Sequence, residues 1–406
     1  MVKIGFTRSL LMSVVLGSLV LSCSGEGKPA AAVLPDYPVR GGVSAPFAGF
    51  LGDRLVLGGG CNFPGVAAAD GGQKVYYADS YITDVTAGSP VWQSAGPLPE
   101  PLAYGAFAES TDGLVWAGGL GPDSAARRVL LVRESGDSIS LVRLPDLPVA
   151  IDNGAAAAVG NDVYVAGGNQ QAGGNGLYVL RNGATAWVRL ADCPSGPRVQ
   201  PVLLYAGGRL YLAGGFAYDA ATNSCTLHSD MLPYCLETGK WEAPVPFPRK
   251  PDGTPYALSG GAGVVCDGSL YLTGGVDYRI FKDAMEGRAP ADYMRRPADW
   301  YRFNSDVLRY RPDKGIWEIA PEVKGMDKAG GVLLCRNRCL YMAVGETKPG
   351  IRTSEVVVQP IDSLHFSSVR LLRKQEDAGM ASAAETERKG KWRVAKRRVS
   401  KIPPFP

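Results

Sequence analysis

Side chains that move protons or hold metals are sparse in this chain of 406 residues, and their placement is informative. The only histidines are His228 and His365, and no two cysteines have C-x-x-C spacing, so no metal centre is expected. A carboxylate, Glu346, precedes a guanidinium, Arg352, by six residues. Such a pair has a bland use, a loop salt bridge. It also has a chemical one, because a partly desolvated carboxylate can be tuned toward proton transfer and a guanidinium can grip a carboxylate with two parallel hydrogen bonds. Other candidates follow Gly-rich strand ends (Asn62, Asn169, Asp277) or occupy turns (Tyr104, Arg198, Gln200). This amide-rich mix with a few aromatic faces suits a sugar.

The elements that must position these residues show themselves as a repeat. A turn residue, a short β-branched or aromatic strand and a Gly-Gly pair recur at Asp53 to Gly59, Asp112 to Gly119, Asp162 to Gly168, Gly208 to Gly215 and Gly268 to Gly275. A sixth copy, Arg338 to Gly345, has Val344-Gly345 in place of the glycine pair. The pairs begin 60, 49, 47, 60 and 70 residues apart, near the roughly 50-residue kelch period. They lack the G-x-x-x-x-G-K-[ST] phrase and a following helix start, so they are not phosphate loops, and no cofactor is expected. In most copies a second strand, a Trp (Trp92, Trp187, Trp241, Trp317) and a Pro-containing turn follow. The expectation is an all-β, six-bladed kelch-type β-propeller with inserted loops, in which the glycines let strands crowd near the axis and aromatics fill the wedges between blades.

Tyr164, Tyr211, Tyr271 and Tyr341 share one phase of the repeat and are expected in the core. Insertions from Phe216 to Asp230 and from Asp277 to Phe303 must emerge at a face of the disc, where they can wall in a pocket. Two closures of the sixth blade are open: an outer strand at His365 to Leu371, or a segment near Leu34.

The formal net charge of +4 is unevenly spread. Arg370 to Pro406 carries 11 Lys/Arg against 4 Asp/Glu, while Cys23 to Val369 has 30 basic and 35 acidic residues, so the body is mildly acidic and nucleic-acid binding is not expected. Lys3 and Arg8 precede an apolar run, Leu10 to Leu21, long enough for a signal-peptide core but short for a bilayer span. Val20-Leu21-Ser22-Cys23 resembles a bacterial lipobox, which implies lipidation of Cys23 and an exported, periplasmic or outer-membrane-attached lipoprotein that meets the membrane only through that anchor. The expected domains are a lipoprotein signal peptide over 1–22, a tether over 23–40, the propeller over 41–372 and a charged, disordered tail over 373–406. Seven cysteines remain after Cys23, an odd number, and Cys335 and Cys339 flank a tight turn across which a disulfide is conceivable.

Three phrases narrow the reading. Gly345-Glu-Thr-Lys-Pro-Gly350-Ile-Arg352-Thr353, Thr273-Gly-Gly-Val-Asp-Tyr-Arg-Ile-Phe281 and Gly196-Pro-Arg-Val-Gln200 resemble, in the same order, phrases of the sialic acid mutarotases, or N-acetylneuraminate epimerases. The section holding Gly58-Gly59-Gly60-Cys-Asn-Phe-Pro and Lys74-Val-Tyr-Tyr-Ala-Asp79 stands at the N-terminus rather than after the Glu346 blade, which resembles the cyclically permuted subfamily. The resemblance covers roughly Gly41 to Leu371 and departs at Leu102, where the family carries Arg, and in the bland loop Gly65 to Asp70. It implies interconversion of the α and β anomers of N-acetylneuraminic acid by base-assisted ring opening and reclosure. Glu346 is then the base, Arg352 the partner of the substrate's carboxylate, and Asn62, Tyr104, Asn169, Arg198, Gln200 and Asp277 are binding residues. Two other readings stay open: a non-catalytic glycan-binding or scaffold propeller at the cell surface, and a hydrolase pairing Glu346 with Asp277.

Overall fold

The computed structural model describes residues 34–170 and 174–369. The expected signal segment, Cys23 and the basic tail lie outside the described residues. Six antiparallel sheets carry the repeat. The innermost strands are Phe47–Leu51, Ala106–Ser110, Ile151–Val159, Val202–Ala206, Gly261–Cys266 and Val332–Arg336, and each hairpins onto the strand that leads into a glycine pair. Neighbouring inner strands touch in chain order and the sixth touches the first, so the ring is closed. Six apolar clusters fill the six wedges between blades. Tyr164, Tyr211, Tyr271 and Tyr341 are buried there, each at the boundary with the following blade.

Why the glycine pair recurs is visible at Gly274-Gly275. Both have left-handed φ, +69° and +78°, and a Cβ on Gly274 would lie 2.4 Å from the Lys328 carbonyl oxygen of the next blade. Crowding is thus with the next blade's backbone. In the first copy the left-handed pair is Gly59-Gly60, one residue later than the sequence phrase suggests, because Gly58 is still in the ladder opposite Phe47. Val344 adopts φ +51° at the matching place in the sixth copy, an uncommon conformation for a β-branched residue, two positions before Glu346.

The sixth sheet has three strands, Val332–Arg336, Cys339–Ala343 and Val356–Pro360. The outer strand expected at His365 to Leu371 goes elsewhere: Ser367–Val369 pairs with Ile316–Ala320 as a fifth strand of the fifth blade. The N-terminal segment takes the vacant flank. Leu34 and Tyr37 are buried between blades six and one, and Tyr37 N–H donates to the Ser354 carbonyl at 2.7 Å. Trp187 and Trp241 each donate an indole N–H to a carbonyl beyond the preceding blade's outer strand, those of Pro145 and Ala191, at 2.8 Å. Trp92 does the same to Pro35 at 2.9 Å, so the segment stands in for the missing strand. The expected tether over 23–40 is therefore corrected for its last residues, which are part of the ring.

Cys335 is disulfide-bonded to Cys266 of the fifth blade, not to Cys339. In the hairpin register Cys335 faces Leu340 while Cys339 faces Arg336, so the two cysteines belong to adjacent pairs and point to opposite faces.

Candidate active site

The segment before each inner strand pairs with the residue after a glycine pair, as in the bridges Ser44 to Cys61, Val199 to Phe216 and Ala329 to Glu346. These bridges fix one mouth of the central channel. Ala45, Tyr104, Asn153, Gln200, Gly260 and Gly330 line it, all with left-handed φ between 52° and 66°. Backbone hydrogen bonds run around the channel, from Tyr104 N to Ala45 O, Asn153 N to Tyr104 O, Gln200 N to Asn153 O, Gly330 N to Gly260 O and Ala45 N to Gly330 O. The cavity they enclose is about 150 Å³.

Glu346 is held at this mouth by a two-way backbone pairing with Ala329 and begins a short hairpin, Glu346–Lys348 with Ile351–Arg352, whose register sets Glu346 opposite Arg352. Arg352 Nη2 lies 2.6 Å from Glu346 Oε1, with the arginine side chain 1 % exposed and the glutamate 18 %. Among the described residues Nε, Nη1 and Nη2 of Arg352 are buried without a hydrogen-bond acceptor, the Glu346 contact being an ion pair, and the Tyr104 hydroxyl stands beside the guanidinium. The Phe63 ring covers the guanidinium at 4.8 Å. Burial raises the Glu346 carboxyl above its usual range, against the opposing pull of Arg352, Lys74 and the Ser44 hydroxyl.

Blades one and two complete the cluster. The hairpin Cys61–Asn62 with Val75–Tyr76 brings Lys74, whose Nζ donates to the Tyr104 hydroxyl at 3.3 Å and lies 5.8 Å from the Phe63 ring centre. Cys61 Sγ is also 3.3 Å from the Tyr104 hydroxyl. Three loops wall the cluster. Arg295, in the insertion of blade five, pairs with Asp70 at 2.7 Å, and Lys348 Nζ donates to the Arg296 carbonyl at 2.7 Å.

Of the expected residues, Glu346, Arg352 and Tyr104 come together. Asn169 and Gln200 join a polar arc on the channel's mouth. Asn169 and Asn153 both donate to Asp152 Oδ1 at 2.7 Å, Gln200 Nε2 donates to Asn153 at 3.2 Å, and Ser259 Oγ donates to Gln200 at 3.0 Å. Three others are engaged within the fold. Asn62 donates to the carbonyls of Arg40 and Gly42 and accepts from Tyr77. Arg198, its side chain fully buried, binds Asp230 at 2.6 Å and the carbonyls of Gly214 and Asp230. Asp277 caps the helix Tyr278–Met285, accepting from Arg279 N and Ile280 N, which removes it as a second carboxylate beside Glu346. Sequence reading missed Lys74, Ser44 and Asp152. The only signal for Lys74 was its place in a quoted phrase.

A larger cleft of about 500 Å³ lies on the blade-five insertion, lined by Asp252, Asp277, Arg279, Trp300 and Arg302 among others. It contains none of the clustered proton-transfer groups, and its one buried carboxylate is the helix cap. Chemistry therefore favours the cluster at the channel mouth, of which Tyr104 lines the 150 Å³ cavity.

A family profile described as N-acetylneuraminate epimerase matches residues 144–395, more than half of the chain. The chain belongs to this family. The match runs past residue 372, into a tail expected to lack a counterpart, and begins after Cys61, Lys74 and Tyr104. Similar curated proteins include the N-acetylneuraminate epimerase of Yersinia enterocolitica, 31 % identical over 53 % of this chain and 56 % of that protein. That of Haemophilus influenzae is 30 % identical over 52 % and 57 %. The chain thus spans about half the length of the curated relatives it matches. The solved structure of YjhT aligns with a TM-score of 0.60 at 17 % identity, covering 84 % of this chain and all of the other, which supports the family's fold in this chain.

Proposed function

We propose that this protein is a mutarotase that interconverts the α and β anomers of N-acetylneuraminic acid. The observation that carries the reading is the state of Arg352. A loop salt bridge would satisfy its partners, whereas here a buried guanidinium has no hydrogen-bond acceptor at Nε, Nη1 or Nη2 among the described residues and meets Glu346, whose proton affinity is raised, only as an ion pair. Nε with Nη2, or Nη1 with Nη2, offers two parallel N–H donors, a fork for a sugar's carboxylate. Glu346 beside them takes the anomeric hydroxyl proton as the ring opens, and returns it when the chain recloses on the other face. Homologous proteins bearing the epimerase name support the substrate.

The N-terminal position of the Lys74 section, together with matches that stop near half of each relative, supports a cyclically permuted blade order. A closed ring tolerates that rearrangement. Export and lipidation at Cys23 remain proposals that rest on the sequence of the first 23 residues.

The test is anomer exchange of freshly released α-N-acetylneuraminic acid followed by NMR. Wild type should accelerate exchange and Glu346→Gln should lose about 100-fold or more of that acceleration. No acceleration by wild type would point instead to a glycan-binding propeller.

A further inference from the structure

Ring opening needs an acid as well as a base, and Glu346 and Arg352 do not provide one: the first takes a proton and the second is held against the first. The described groups around the unsatisfied guanidinium are Phe63, Cys61, Tyr104 and Lys74. Cys61 Sγ and Lys74 Nζ both reach the Tyr104 hydroxyl at 3.3 Å, and of the two the Lys74 ammonium gives up a proton without leaving a buried anion. Its Nζ donates to the Tyr104 hydroxyl at 3.3 Å and stands 5.4 Å from the Tyr104 ring centre. Resting on the mutarotase reading, we propose that Lys74 is the proton source for the ring oxygen, delivered through the Tyr104 hydroxyl.

The step balances. As Glu346 removes the anomeric hydroxyl proton, the bond between the anomeric carbon and the ring oxygen breaks with its electron pair on that oxygen. The oxygen takes the Tyr104 hydroxyl proton while Lys74 replaces it. On reclosure the protons return along the same route, and nothing is consumed. The surroundings suit each part. Burial first, and then Arg352, lower the Lys74 pKa from its ordinary value, partly opposed by Cys61 and Glu346, so the ammonium gives up a proton more readily than a surface lysine. Burial raises the Tyr104 hydroxyl well above its ordinary range, which keeps it protonated as a donor. The groups facing Lys74 are thus Cys61 from its own hairpin, Tyr104 from the second blade, and Glu346 and Arg352 from the sixth.

The experiment compares wild type, Lys74→Met and Tyr104→Phe in anomer exchange, with the uncatalysed rate subtracted at each pH and folding checked by circular dichroism. The wild-type rate should fall along an alkaline limb that lies below the ordinary lysine value of 10.5, because the acid is lost as pH rises through the lowered pKa. Each variant should lose about 100-fold, the double variant little more than either alone, and Lys74→Met should lack the limb. If Lys74→Met stays within about threefold of wild type, or the wild-type rate is flat to that pH, Lys74 is not the acid and the Glu346 reading survives. If Lys74→Met does not fold, the wild-type limb and Tyr104→Phe decide. A wild type that does not accelerate exchange overturns the mutarotase reading and the Lys74 role together.

Discussion

At the scale of single residues, the site works by burial against charge. Glu346 sits beside two cations, Arg352 and Lys74, and yet desolvation outweighs them and lifts its carboxyl. A base must be ionised, so activity should fall as pH drops through this raised value, giving an acid limb above the usual carboxylate range. A rate that stays level down to about pH 4 would contradict this. Arg352→Lys keeps the charge but removes the planar fork, so KM should rise and kcat/KM fall about 10- to 100-fold, with kcat changed less. None of this was legible beyond the spacing of Glu346 and Arg352. Lys74 reaches Tyr104 only because the ring sets the loop of blade one beside the start of blade two and the hairpin of blade six, and no local pattern encodes that.

At the scale of elements, the repeat was legible because its glycines are required stereochemically, by left-handed φ and a neighbouring carbonyl, wherever a strand turns into a loop. The insertions were located by the broken period, but their internal structure was not legible. Asp277 was read as a ligand because it follows a glycine pair, but the chain beyond it is a helix and the carboxylate closes its first turn. Asp277→Ala should therefore destabilise the protein by about 1 kcal/mol, whereas Asp277→Asn, itself a good cap, should cost little and keep anomer exchange near wild type. Denaturant unfolding and the exchange assay separate the two. A loss of exchange by Asp277→Asn in a stable protein would restore a direct role in binding.

At the scale of the molecule, the N-terminal segment completes the ring. The two closures left open by the sequence differ by which end of the chain flanks blade six. That choice depends on strand pairing across blades, which composition does not report. Tyr37 is buried in the closing wedge while its hydroxyl has no hydrogen-bond partner among the described residues. Tyr37→Ala should cost about 3 kcal/mol in denaturant unfolding, and Tyr37→Phe should be neutral or mildly stabilising. Equal effects of both would mean that the hydroxyl, and not the packing, matters. The closing seam also carries the site, since Glu346 and Arg352 come from the last blade, Cys61 and Lys74 from the first and Tyr104 from the second. The most direct measurement of the central claim is a structure determined with N-acetylneuraminic acid bound. The account predicts the sugar's carboxylate on the Arg352 guanidinium, through Nη2 with either Nε or Nη1, and the anomeric hydroxyl at Glu346. A sugar seated in the cleft beside Trp300, with Arg352 still unengaged, would contradict it.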